Sequence, residues 1–387
     1  MSRRNVAILG STGSIGCNAI EVIAQLGEPF HVVAISGNTR IDKLVEQTKV
    51  AKPQAVGIGG AQARDALGRA LRDANLDAKV YCGPAGLAEM VRRDDVDIVV
   101  AAIVGFAGLE PVLAAVEAGK TVALANKESL VVAGSILIPL AKCSGAKIIP
   151  VDSEHSAIFQ AMACGRASEV KRVILTASGG PFRDWPIERM RSATLSDALN
   201  HPTWRMGDKV TIDSATMFNK ALEIVEACWL FDLPPEKVEV VVHPESVVHS
   251  MVEFIDGSTI AQLSPPDMRT PIQYALTYPD RRAGIGRTID LTQAFSLNFS
   301  PPDPVKFGAL RLAYDVATRK GTLGAVLNAA NEIAVAAFVA GSIPFWMICD
   351  VVARTIHRHQ SIATPTLRDL IDADDWARRT AEKLLAS

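Results

Sequence analysis

Val6-Ala7-Ile8-Leu9-Gly10-Ser11-Thr12-Gly13-Ser14-Ile15-Gly16 is the stretch that decides how this chain is read. Four apolar residues run into glycines spaced G-x-x-G-x-x-G, and an amphipathic pattern over 15–26 follows at once. Strand, tight turn and helix start, in that order, build a phosphate site. Glycine lets the backbone approach closely, and the helix N-terminus offers N–H groups with a partial positive charge. The spacing is a variant of the commoner G-x-G-x-x-G, and in this context it predicts a dinucleotide cofactor.

Working outward, strand patterns at 6–10, 31–36, 55–58, 98–103, 121–125 and 147–150 alternate with amphipathic stretches such as 109–118 and 130–141. Continuous apolar strands separated by helices predict a Rossmann-like, doubly wound parallel sheet over 1–150. The second strand ends Ile35-Ser36-Gly37-Asn38-Thr39-Arg40, with no carboxylate to hold ribose hydroxyls. A small polar cluster with an arginine favours the 2′-phosphate of NADPH instead.

Beyond Asp152 the strand signals at 172–176, 238–243, 247–254 and 259–263 crowd together, the last two as a hairpin across Asp256-Gly257. This predicts a central α+β catalytic domain over 151–285. Within it, the polar stretch 179–209 has the composition of a mobile lid loop. A linker at 286–304 and a C-terminal α-helical domain at 305–387 complete the chain.

The composition excludes several classes. The net charge is -2 and no basic run suggests nucleic acid. No apolar run reaches the ~18 residues of a membrane span. The basic start is too soon interrupted by Gly10 and Ser11 to be a signal peptide. Six scattered cysteines form no C-x-x-C pair, which suits reduced thiols in a cytoplasmic protein.

Candidate chemistry gathers at two places. Asp152-Ser153-Glu154 closes a strand, and alternate residues of an extended segment point the same way, so the two carboxylates are expected to converge on a cation such as Mg²⁺ or Mn²⁺. Acids opening a helix are also favoured by its dipole, which is the plainer account. In Asp213–Glu223, read as a capped helix start, Asn219, Lys220 and Glu223 share a face. They make either a third metal ligand with an anion grip or a surface ion pair. Ser178-Gly179-Gly180 suits a phosphate, Trp204 sits in the lid, and Asn126-Lys127-Glu128 follows the fifth predicted strand.

In order along the chain these motifs read G-S-T-G-S-I-G (10–16), L-A-N-K-E (124–128), P-V-D-S-E-H (150–155), S-G-G-P-F (178–182), H-P-T-W-R-M-G (201–207), D-S-A-T-M-F-N-K-A-L-E (213–223), H-P-E-S-V-V-H-S (243–250) and N-A-A-N-E (328–332). Together they resemble the 1-deoxy-D-xylulose 5-phosphate reductoisomerase family over essentially the whole length. The resemblance implies a metal-assisted rearrangement of 1-deoxy-D-xylulose 5-phosphate followed by reduction with NADPH, and a homodimer. It implies NADPH contacts at Thr12, Gly13, Ser14, Ile15, Gly37, Asn38, Thr39, Asn126, Glu128 and Gly207. It implies Mg²⁺ or Mn²⁺ on Asp152, Glu154 and Glu223. Substrate contacts are implied at Lys127, Ser153, Glu154, Ser178, His201, Trp204, Ser214, Asn219 and Lys220, with Met206 beside Trp204. Lys127, Glu154 and His201 are the implied catalytic groups. Two residues depart from the pattern. Asn38 stands where a basic residue is common, and Ala221 replaces a common glycine.

Overall fold

The computed structural model describes residues 3–386. The chain divides into two compact units. One takes the chain up to Ser129 with Leu137–Ser156 and Asp267–Arg287; the other takes Leu130–Ile136, Ala157–Pro266 and the chain from Thr288 onward.

The first unit is built as β1 (Arg4–Leu9), α1 (Ser14–Leu26), β2 (Phe30–Gly37), α2 (Ile41–Ala51), β3 (Ala55–Ile58), α3 (Ala61–Asp73), β4 (Lys79–Cys82), α4 (Gly83–Val91), β5 (Ile98–Ala101), α5 (Leu109–Glu117), β6 (Thr121–Leu124), α6 (Lys127–Ser144) and β7 (Lys147–Pro150). The next helix, α7 (Ser153–Met162), begins in this unit. Seven strands form one sheet in the order β4-β3-β2-β1-β5-β6-β7, every pair parallel. Strands β3 and β5 are buried along their whole length, which is why they read as unbroken apolar runs. The strand order reverses between β1 and β5, and ligands of such sheets bind in the crevice at that point.

The glycine turn sits at this reversal. Gly10 has φ +79°, and a Cβ there would meet the Ala102 carbonyl oxygen at 2.5 Å, on the chain leaving β5. A Cβ on Gly16 would lie 2.4 Å from the Gly10 carbonyl oxygen. Only glycine lets the first turn of α1 pack onto the loop that feeds it.

The sequence pattern gave six strands where the sheet has seven. Strand β4 was absent because it is a short edge: only Tyr81 is buried, while Lys79 is exposed and pairs with Glu89. The extended reading of Asp152–Glu154 also fails. The chain is already helical from Ser153, and the Asp152 carbonyl accepts from the Ser156 N–H at 2.8 Å.

The second unit contains β8 (Val170–Ala177), the short helices α8 (Ile187–Met190) and α9 (Leu195–Leu199), then α10 (Asp208–Thr216), α11 (Phe218–Leu230), β9 (Val238–Val242), β10 (Val248–Phe254) and β11 (Thr259–Leu263). After α12 (Arg269–Thr277), which lies in the first unit, come α13 (Gly308–Arg319), α14 (Leu323–Val339), α15 (Met347–Arg358) and α16 (Leu367–Leu385). The sheet order is β11-β10-β8-β9, with β10 antiparallel to both neighbours and β8 parallel to β9. The expected hairpin turns at Gly257, φ +87°. Helices α13 to α16 form the expected helical region, with Thr366 capping α16.

One predicted helix is two. Asp213 lies inside α10, and Met217, in the left-handed region at φ +63°, separates α10 from α11. The Asp213 carboxylate is not available as a cap. It accepts from Lys209 Nζ at 2.6 Å and from Asn331 Nδ2 at 2.8 Å.

The linker is strapped to the sheet. Ser300 bridges Val242, Phe299 stacks on buried His243 at 4.6 Å, and the Asn298 carbonyl lies 2.8 Å from His243 Nδ1. Among the described residues no helix is long and apolar enough to cross a membrane.

The close fit at Gly16 predicts that Gly16→Ala lowers unfolding stability in urea by about 1–3 kcal/mol through overpacking against backbone. A methyl on Gly60 meets nothing within 4 Å, so Gly60→Ala stays within about 0.5 kcal/mol of the parent. Equal effects at the two positions would contradict the packing described.

Candidate functional site

In the first unit every predicted site residue follows the C-terminal end of a parallel strand. Thr12, Gly13, Ser14 and Ile15 follow β1; Gly37, Asn38 and Thr39 close or follow β2; Asn126, Lys127 and Glu128 follow β6; and Asp152, Ser153 and Glu154 follow β7. The sheet alone thus brings residues far apart in sequence to one edge.

Asn126 is used more fully than the sequence suggests. Its Oδ1 caps α6 by accepting from the Ser129 N–H, and its Nδ2 donates to the carbonyls of Ile103 (2.7 Å) and Gly105 (3.0 Å). Its side chain therefore fixes the loop after β5 to the start of α6. Next to it, Lys127 Nζ lies 2.6 Å from Asp152 Oδ2, with the two side chains 12% and 16% exposed. Ser153 Oγ donates to Glu154 Oε2 at 2.5 Å. Asn38 folds onto the chain after β3: a Cβ on Gly59 would fall 2.4 Å from Asn38 Oδ1. Arg40, at the N-terminus of α2, is exposed.

In the second unit the remaining residues are joined by short links. Gly180 approaches α10 so closely that a Cβ would meet the Ser214 carbonyl oxygen at 2.5 Å. Ser178 Oγ accepts from the Gly180 N–H and lies 2.9 Å from His201 Nε2. On α11, Asn219 Nδ2 donates to Glu223 Oε1 at 2.6 Å, and Lys220 Nζ pairs with Glu223 Oε2. Lys220 and Glu223 are 3% and 0% exposed, so the alternative of a surface ion pair is ruled out. A buried carboxylate is tolerable only with such a partner and further hydrogen bonds.

The root of the polar stretch 179–209 is firmly held. Phe182 is fully buried, its ring 4.7 Å from those of Trp185 and Phe345, and Lys306 Nζ donates to the Arg183 carbonyl. Trp204, half-buried, lies 6.1 Å from the His249 ring. Gly207 is the residue before α10.

His201 has a defined tautomer. Its Nδ1 accepts from the backbone N–H groups of Thr203 (3.1 Å) and Trp204 (2.9 Å). A ring nitrogen that accepts carries no proton, so the proton of neutral imidazole is on Nε2 and is donated to Ser178 Oγ. Burial, helped by the nearby Arg183 charge, pushes its pKa down to about 4. His201 is thus a fixed hydrogen-bond donor near neutrality, and the Ser178 O–H is left to donate outward.

Three family profiles match this chain: 1-deoxy-D-xylulose 5-phosphate reductoisomerase at residues 6–134, the C-terminal domain of that enzyme at 148–231, and the DXP reductoisomerase C-terminal domain at 263–380. The chain belongs to the 1-deoxy-D-xylulose 5-phosphate reductoisomerase family. The reductoisomerase of Chlorobaculum tepidum is 49% identical over 383 residues, 99% of this chain and 100% of that one. That of Thermomicrobium roseum is 49% identical over 385 residues, 99% and 98% of the two chains. Among solved structures, a reductoisomerase in complex with NADPH, fosmidomycin and magnesium superposes with TM-score 0.93 at 42% identity, covering 99% of this chain and 98% of that one. The Zymomonas mobilis enzyme in complex with NADPH gives 0.92 at 42% identity, covering 100% of both. The family's Rossmann-like sheet, second sheet and helical region are all present.

Two supporting contacts were not legible in the sequence. Asn331, within the N-A-A-N-E motif, reaches Asp213, and Gln47, outside every motif, reaches the glycine turn. Neither has a local signal, because their partners lie 118 and 36 residues away.

For His201, a pKa lower in the folded chain than in the unfolded one means that the unfolded chain binds more protons between about pH 4 and 6.5. Its contribution to stability is therefore complete above pH 6.5 and is lost as pH falls towards 4. Nitrogen NMR of the ring at pH 6 should report a neutral Nε2–H tautomer. A titration midpoint near 6.5 in the folded chain would contradict the assignment.

Proposed function

We propose that this chain catalyses the NADPH-dependent rearrangement and reduction of 1-deoxy-D-xylulose 5-phosphate to 2-C-methyl-D-erythritol 4-phosphate, a step of the non-mevalonate route to isoprenoid precursors. Full-length family membership carries this reading. The cofactors are NADPH and Mg²⁺, as in the solved relatives, with Mn²⁺ a second ion of matching chemistry.

When bound, the divalent ion polarises the substrate carbonyl and NADPH supplies hydride to the aldehyde left by the rearrangement. Asp152, Glu154 and Glu223 are the proposed metal ligands. The set fits a hard cation: three carboxylates, with no nitrogen or sulfur donor. Lys127 beside Asp152, and Lys220 beside Glu223, meanwhile supply the positive charge that these carboxylates need. With a divalent ion held by these carboxylates, the Lys127 ammonium would serve the substrate oxygen on which negative charge develops. Ser153 and Glu154 meet the same reacting end, where the Glu154 carboxylate can hold a proton.

At the other end, Ser178, Ser214, Asn219 and Lys220 grip the phosphate, and His201 donates from Nε2. This anchor supplies binding energy remote from the reacting bonds, which keeps the fragments oriented. The 179–209 stretch closes as a lid, with Trp204 over the substrate, Met206 beside it and Gly207 towards the cofactor, so that water is excluded. Thr12, Gly13, Ser14 and Ile15 take the pyrophosphate. Gly37, Asn38 and Thr39 take the adenosine end, and Asn126 and Glu128 lie towards the nicotinamide. Arg40 stands in for the family's basic residue at the 2′-phosphate.

In functional terms residues 1–150 serve the cofactor, 151–285 the metal and substrate, 286–304 the link, and 305–387 the bracing helices. A homodimer is supported by the edge strand β11 and by exposed Ile255, Leu291 and Phe299 on the second unit. Six free cysteines support a reducing, cytoplasmic setting.

Purified chain with Mg²⁺ or Mn²⁺ is expected to oxidise NADPH when given 1-deoxy-D-xylulose 5-phosphate, forming the branched erythritol phosphate. A phosphonate carrying a hydroxamate should compete with substrate, since it matches the phosphate grip and the metal at once. No turnover by folded, cofactor-binding chain would overturn the reading. Arg40→Ala should raise KM for NADPH about threefold to tenfold and leave KM for NADH unchanged. Equal changes for both cofactors would remove Arg40 from the 2′-phosphate.

A further inference from the structure

The glycine turn has a support that none of its own residues provides. A turn that aims successive N–H groups at a phosphate throws its carbonyls to the opposite side, into the protein, where each needs a donor. At Ser11, which is fully buried, that donor comes from Gln47 on α2. Gln47 Nε2 donates to the Ser11 carbonyl at 2.8 Å, and Gln47 Oε1 accepts from Ser11 Oγ at 2.7 Å. The orientation of the amide follows, because a carbonyl can only accept. One carboxamide thus grips both the backbone and the side chain of a single loop residue.

The rest of the cradle has the same purpose. The Ser11 N–H donates to the Ser36 carbonyl at 2.7 Å, and the Gly10 N–H donates to Ser36 Oγ at 3.1 Å, tying the turn to the end of β2. Cys17 Sγ, in the first turns of α1, lies 3.6 Å from both the Ser11 carbonyl and Gln47 Nε2. Helix α2 itself is fixed on the sheet by buried Leu44, Val45 and Thr48, so Gln47 acts from a rigid base.

We infer that Gln47 is a positioning residue that sets affinity for the dinucleotide by holding the Ser11 carbonyl away from the pyrophosphate, so that the loop and the first turn of α1 keep their N–H groups aimed at it. This rests on the reading that the 10–16 turn is the pyrophosphate site. Gln47 takes no part in the chemistry, and its loss leaves the metal and phosphate grips alone.

The test is NADPH affinity and steady-state kinetics on the full-length chain with Mg²⁺. Gln47→Met keeps the length and loses both hydrogen bonds. It should raise Kd and KM for NADPH about fivefold to thirtyfold, with kcat and KM for 1-deoxy-D-xylulose 5-phosphate within twofold of the parent. Gln47→Glu should be worse than Gln47→Met, because its carboxylate faces the Ser11 carbonyl and adds negative charge behind the pyrophosphate. Ser11→Ala, which keeps the carbonyl contact, should have the smallest effect, and combined with Gln47→Met it should add little. Gly13→Asp serves as the reference for the loop and should abolish NADPH binding. If Gly13→Asp abolishes binding while both Gln47 variants bind like the parent, the inference on Gln47 is wrong and the loop reading stands. If Gly13→Asp binds normally, the loop reading itself fails. A parallel rise in both KM values would reduce Gln47 to a general structural residue.

Discussion

Glu223 carries its carboxylate where no water reaches it, and that constraint organises the second unit. An isolated buried charge costs several kcal/mol, so the fold must bring a cation and hydrogen bonds to it. Helix geometry provides both. Asn219 and Lys220 stand one turn earlier on α11, and each reaches one oxygen of the carboxylate. The same arrangement recurs in the first unit at Asp152, where Lys127 opens the neighbouring helix α6. Each unit therefore holds a lysine beside a carboxylate. Each member of these pairs also has a role in the proposed chemistry.

The surrounding structure keeps these groups in place. In the first unit, parallel strands deliver every candidate residue to one edge of the sheet, and the reversal between β1 and β5 sets the glycine turn there. In the second, Gly180 lies against the backbone of Ser214, and the left-handed Met217 turns the chain so that α11 starts afresh. A non-glycine residue in that conformation costs of order 1 kcal/mol, and here it turns the chain between Ser214 on α10 and Asn219 and Lys220 on α11. Asp213, held by Lys209 and Asn331, ties the same helix to α14.

Much of this was legible in the sequence, for identifiable reasons. Buried strands such as β1, β3 and β5 are unbroken apolar runs, and the glycine turn carries its own spacing. Asn219, Lys220 and Glu223 stood on one helical face as the periodicity required. What escaped was set by tertiary partners. Strand β4 is a half-exposed edge with one buried residue. Ser153 starts a helix because the Ser156 N–H finds the Asp152 carbonyl, which alternation along a strand does not register. The break at Met217 leaves no composition signal, since methionine is a good helix former and no glycine or proline lies within 213–223. Gln47 and Asn331 reach partners on distant elements, and the tautomer of His201 is set by backbone amides. Local pattern thus supplied the candidate site residues, while the residues that fix their positions became visible only once the chain was folded.

The proposed function rests on Asp152, Glu154 and Glu223 as ligands of one divalent ion. The most direct measurement is an electron paramagnetic resonance titration of Mn²⁺ with the full-length chain, NADPH and a phosphonate hydroxamate. One tightly bound ion per chain is expected in the parent. Glu223→Gln, which keeps the shape of the buried side chain and removes its charge, should weaken Mn²⁺ binding at least tenfold. Undiminished Mn²⁺ affinity in Glu223→Gln and in Asp152→Asn, each shown to be folded, would contradict it.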